Sequence, residues 1–109
     1  MKPQHAYLAD GRWQALTLFE QMGNIGSEVG RTMRARGNDV QAFQNAIART
    51  LELIDLTIAD PRHRKRLKEI TRAREFFCDA TSDDPRYDVT LSELDEYFLQ
   101  FAIAARLKR

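Results

Sequence analysis

Residues 12–36 hold the feature that most limits how this chain can fold. The run RWQALTLFEQMGNIGSEVGRTMRAR has no proline, and Leu18, Met22, Ile25, Val29 and Met33 recur at spacings of four, three, four and four. That period places one apolar stripe along one helix. Beside the stripe stand Gly23, Gly26 and Gly30. A glycine inside a helix costs roughly 1 kcal/mol against alanine, so three of them need a compensating gain. Close approach supplies one: along Gly26 and Gly30 a neighbouring helix backbone can come into van der Waals contact. The run is therefore expected to form a central, tightly packed helix. Room for a ligand is the alternative use of the glycines.

Three further amphipathic segments follow, each opened by a capping signal. Asp10 is placed to cap the first helix, which stops at Arg36, Gly37 and Asn38. Asn38 and Gln41 suggest a capping box for the second helix. Its expected core face is Val40, Phe43, Ile47, Leu51, Ile54 and Ile58, flanked by Ala42, Ala46 and Leu53. Asp60 reads as the next N-cap and Pro61 as the first residue of a third helix over 61–79, with Leu67, Ile70, Ala73 and Phe77 inward. A long loop over 80–89 leads to a Thr90–Glu93 capping box. The fourth helix then carries Leu91, Leu94, Phe98, Phe101 and Ala105 on one face. Sustained apolar/polar alternation, the mark of strands, is missing. Short first and second connections make sequential helices antiparallel. The reading is all-α: an up-down-up-down antiparallel four-helix bundle, with residues 1–109 as a single domain.

Composition enters where it excludes functions. Seventeen basic and sixteen acidic side chains give a net charge of +1, so only the distribution of charge could favour nucleic acid. Cys78 is the sole cysteine, which excludes an intrachain disulfide. No apolar run is long enough to span a bilayer, and the first residues lack the apolar core of a signal peptide. The expected location is cytoplasmic, with no membrane partner. His5 and His63 are the only histidines, and neither completes a Glu-x-x-His metal pair. No glycine-rich phosphate loop follows a strand. No catalytic residue, metal or cofactor is expected.

Three surface features remain as candidate sites. In an antiparallel bundle Arg62, His63, Arg64, Lys65 and Arg66 meet Arg106 and Lys108 at one end. A basic pole at a helix start suits phosphate or nucleic acid, although it holds no aromatic residue on which bases could stack. Glu20, Asn24, Ser27 and Arg31 form a polar row on the first helix, either a solvated face or the wall of a small-molecule site. Leu99, Ile103 and Leu107 form a second apolar stripe on the fourth helix, and Leu56 points away from the expected core face of the second. A second stripe implies a second neighbour: the N-terminal arm with Tyr7 and Leu8, or another copy of the chain.

Residues 13–29, with Leu18-Phe19-Glu20 and Asn24-Ile25-Gly26-Ser27-Glu28-Val29, resemble small bacterial and archaeal helical-bundle proteins of about this length. So do Asp55-Leu56-Thr57 through Asp60-Pro61-Arg62, and Phe98-Leu99-Gln100-Phe101-Ala102. The resemblance implies a helical bundle and brings no activity, cofactor or catalytic residue. The function expected is a non-enzymatic helical interaction module that self-associates, most simply as a homodimer, or meets another protein. The alternatives are a nucleic-acid or phosphate-binding protein using the basic pole, and a small-molecule site along the polar row.

Overall fold

The computed structural model describes residues 11–107. Among these, four α-helices form: α1 Leu18–Ala35, α2 Val40–Ile58, α3 Leu67–Ala80 and α4 Leu91–Leu107. Two 3-10 segments, Trp13–Ala15 and Pro61–Arg66, precede α1 and α3, and no strand occurs among the described residues. The chain is all-α, and none of these helices is long and apolar enough to cross a membrane. Asp10, Tyr7, Leu8 and Lys108 lie outside the described residues.

Local chemistry moves several boundaries from where periodicity puts them. α1 starts at Leu18, not near residue 12, because Leu16 and Thr17 are extended. Thr17 is the cap: its hydroxyl accepts from the Glu20 amide at 3.2 Å, and Glu20 accepts from the Thr17 amide at 2.9 Å. The detached 3-10 turn drives Trp13 into the core, where it is 1% exposed. α1 ends before Gly37, whose φ of 77° is the left-handed conformation that favours glycine. At α2 the cap is Asp39 rather than Asn38, accepting from the Ala42 amide at 3.1 Å. Gln41 instead donates to Asn45 at 3.0 Å.

The buried face of α2 is also turned from the expected one. Val40 is 79% exposed, while Ala46, Thr50, Leu53, Ile54 and Thr57 are buried. Two threonines replace aliphatic residues because each hydroxyl donates to the carbonyl one turn back. Thr50 reaches Ala46 at 2.7 Å and Thr57 reaches Leu53 at 2.8 Å, which leaves the methyl groups to pack. Thr50 faces Thr32 of α1, which donates to the Glu28 carbonyl at 2.8 Å. Leu56 is half-buried against the core rather than pointing away from it. In α3, Ile70, Ala73 and Phe77 are buried as expected, but Leu67 is exposed because the preceding 3-10 segment offsets the face. Cys78 is exposed. The Thr90–Glu93 box forms, and Leu91, Leu94 and Phe98 of α4 enter the core.

α1 is the central element, packed most extensively on α4 and α2, with α3 held mainly by α2. A methyl group built on Gly26 would lie 2.8 Å from Phe98 Cβ, and one on Gly23 would lie 3.0 Å from the Ala102 Cα. At Gly30 the nearest atoms are instead side-chain ends, Arg34 Nη1 at 3.1 Å and Asp95 Oδ1 at 3.4 Å. Close approach therefore runs along Gly23 and Gly26, not along Gly26 and Gly30 as expected. α4 settles there because it meets no side chain on that edge of α1.

The glycines should respond differently to alanine. Gly26→Ala gains helix propensity but pushes Phe98, so the urea midpoint should fall, and Gly26→Leu should lose about 1–3 kcal/mol through overpacking. Gly30→Ala meets only movable side-chain ends and should gain up to about 1 kcal/mol. Stabilisation by Gly26→Ala would show that the α1–α4 contact is not close.

Candidate functional site

α4 shows two faces. Its inner face is set by Phe98 and Ala102 against Gly26 and Gly23 of α1. That contact turns Leu99, Ile103 and Leu107 outward, at 51%, 46% and 79% exposure. Glu96 and Arg106 are exposed on the same side. At 100° per residue the five side chains fall within a sector about 100° wide. The expected apolar stripe is thus present on the surface, while Leu56, grouped with it from sequence, belongs to the core margin.

The polar row of α1 is spent on local bonds. Glu20 closes the Thr17 capping box, and Arg31 pairs with Glu28 at 2.7 Å. Ser27 only approaches the Gly23 carbonyl, at 3.5 Å, and Asn24 is exposed. Glu28, which the sequence reading passed over, is 4% exposed and also takes Arg49 of α2 at 2.8 Å. It sits on the α1–α2 seam, where Arg49 brings it a charge-assisted bond.

The basic pole loses His63 to the interior and has the exposed Arg62 tied to a buried carboxylate. His63 is 7% exposed, and Arg62 grips Asp60 with its Nε at 3.0 Å and its terminal nitrogen at 2.6 Å. Arg62 also donates to the Leu16 carbonyl at 2.8 Å. Arg64, Lys65 and Arg66 stay exposed, Arg66 within 3.6 Å of Glu69. Arg106 is exposed in the last turn of α4, and Lys108 lies outside the described residues. Asp60, 3% exposed, explains the arrangement. The Arg62 guanidinium holds its carboxyl well below the usual carboxylate range, outweighing burial.

A buried polar network grows from Asp60. Gln21 Nε2 donates to the Trp13 carbonyl at 2.8 Å and lies 3.3 Å from Asp60 Oδ2. Its oxygen is then the acceptor facing His63 Nε2 at 2.7 Å, so that ring nitrogen carries the hydrogen. Trp13 Nε1 donates to the Thr57 hydroxyl at 3.0 Å. The network joins the 3-10 turn before α1, the end of α2 and the start of the α3 arm. Its polar groups bond to one another, and Arg62 and His63 also line a cavity of about 330 Å³ with Leu18, Arg64, Lys65 and Arg66. Gln21 could not be found from hydrophobic periodicity; the signal present in the sequence was Asp60-Pro61 followed by Arg62 and His63. Compared with known protein families, curated proteins and solved structures, the chain matches none.

The network makes stability pH-dependent. Burial lowers the His63 pKa from its ordinary 6.5, outweighing the Asp60 charge, so above that value the folded and unfolded imidazoles are both neutral. As pH falls below about 6.5 the unfolded state takes up the proton first, and stability declines towards the lower folded pKa. Asp60 adds a second decline below the ordinary carboxylate range, because its folded pKa is also depressed. Melting temperature should fall between about pH 7 and 5, and His63→Gln should flatten that decline. An unchanged slope in the variant would place the titration elsewhere.

Proposed function

We propose that the protein is a helical interaction module whose α4 pairs with α4 of a second copy. The observation that carries this reading is the exposed strip of Leu99, Ile103 and Leu107 with Glu96 and Arg106 beside it. The strip matches itself when reversed. With a two-fold axis level with Phe101, Leu99 stands opposite the partner's Ile103, and Glu96 opposite the partner's Arg106. Leu99 and Ile103 then meet each other, and Glu96 meets Arg106, while Leu107 falls at the end of the paired strip. Burying each aliphatic side chain is worth at most roughly 1.5–3 kcal/mol, and each rim ion pair about 0.2–1 kcal/mol. Against the cost of association this supports a weak, concentration-dependent dimer rather than an obligate one.

The same reading takes the four helices as an up-down-up-down antiparallel bundle. Gly23 meets Ala102 while Gly26 meets Phe98, in reversed order along α1 and α4. Arg36 at the end of α1 donates to the Ala80 carbonyl at the end of α3 at 2.7 Å. Gln21 near the start of α1 meets His63 in the arm that leads into α3. We take the location as cytoplasmic, on the strength of a single cysteine, exposed as a thiol.

Sedimentation equilibrium across a wide concentration range tests the pairing. The wild type should approach dimer mass at high concentration, and Ile103→Glu should remain monomeric with its helical circular dichroism intact. Arg106→Glu alone sets like charges opposite each other and should weaken the dimer; adding Glu96→Arg should restore it. A wild type monomeric at every concentration, or a double swap no better than the single one, contradicts the reading.

A further inference from the structure

A cavity of about 560 Å³ lies between α3 and α4, on the flank of α4 that carries Glu93, Leu94 and Tyr97. It exists because α4 is drawn onto the glycines of α1 and touches α3 only lightly. Its floor is apolar: Ala73, Phe76, Val89, Leu94 and the ring of Tyr97. Three cations line the cavity: Lys68 and Arg72 stand one turn apart on α3, and Lys65 joins them from the 3-10 segment that precedes it. Two carboxylates, Glu69 and Glu93, complete the charged lining.

The carboxylates are engaged and the cations are not. Glu69 accepts from the Tyr97 hydroxyl and lies 3.6 Å from Arg66. Burial and the Glu69 carboxylate both push the Tyr97 pKa up, so the phenol stays a neutral donor. Glu93 is held in the capping box, accepting from the Thr90 amide and hydroxyl at 3.1 Å each. None of Lys65, Lys68 and Arg72 makes an ion pair among the described residues. Three cations against two carboxylates leave the lining one positive charge in excess.

We propose that this groove binds an amphiphilic monoanion of the fatty-acid type, an apolar chain ending in one carboxylate. Its chain lies on Phe76, Val89 and Leu94, and its head meets Lys65, Lys68 and Arg72. One excess positive charge matches one carboxylate, whereas a phosphate monoester brings about −1.5 to −2. The cavity volume falls in the range of about 300–1,000 Å³ typical of small-molecule sites. Two turns of a helix about 10–12 Å across take up on the order of 1,000 Å³, which favours a chain over a docked helix.

The test is calorimetric titration of the full chain with dodecanoate, dodecyl phosphate, dodecanol and dodecyltrimethylammonium, all below their micelle concentrations. Dodecanoate should bind one per chain, more tightly than dodecyl phosphate or dodecanol, and the cationic amphiphile should bind least. Lys68→Gln with Arg72→Gln, both at exposed positions, should weaken dodecanoate about tenfold while leaving dodecanol nearly unchanged. Leu94→Gln should weaken all four; if it unfolds the chain, the uncharged Val89→Gln provides the same arm from the loop. No saturable dodecanoate binding, equal binding of the four probes, preference for the phosphate, or indifference to the double substitution would each overturn the proposal.

Discussion

α4 rests on α1 where α1 offers only backbone, and most of the architecture depends on that contact. Phe98 and Ala102 rest where Gly26 and Gly23 have no side chains. Glycine weakens a helix in isolation, so α1 relies on its neighbours for stability. α2 supplies the opposite wall through Leu53 and Ile54 against the Met22, Ile25 and Val29 stripe. With both flanks of α1 occupied, α3 packs on α2, and its contact with α4 is left light. The exposed strip and the groove are two consequences of the same placement. One lies on the outer face of α4, the other on the face that α3 does not fill.

The polar interior does a different job from the apolar one. Apolar contacts bring the helices together without choosing an angle for the chain between α2 and α3. Asp60 chooses it, by capping Arg62 with its carboxylate while Gln21 and His63 close around it. His63, at φ −103° and ψ 22°, departs from helical geometry, so the segment Pro61–Arg66 is 3-10 rather than the first turns of α3. A buried network with every partner in place specifies one arrangement, and loses it when a single member is removed.

Much of the fold was legible because helical periodicity and capping act locally. The stripe of α1, the Thr90–Glu93 box, the Asp60-Pro61 break and the core residues of α4 follow from spacing alone. The failures have physical causes. Hydrophobicity placed the centre of the buried face of α2 off by part of a turn, because Thr50 and Thr57 bury their methyl groups once their hydroxyls bond to carbonyls one turn back, while Ala46, Leu53 and Ile54 are buried as expected. His63 read as surface charge because its partner Gln21 sits forty-two positions away, beyond any local pattern; Arg62 is on the surface, bound to Asp60 two positions before it. The strip on α4 was legible as a second stripe; the groove was not, since it arises from what α3 and α4 fail to touch.

Whether α4 faces α4 is open to one direct measurement. Gln100→Cys in a Cys78→Ser background places one thiol beside the strip and near the inferred two-fold axis; Asp84→Cys in the same background places one on the exposed loop before α4. Oxidative cross-linking as a function of protein concentration compares the two. Efficient disulfide-linked dimer from the position-100 chain, with little from the position-84 chain, is the result predicted. Equal cross-linking at both positions, or none at position 100, would contradict it.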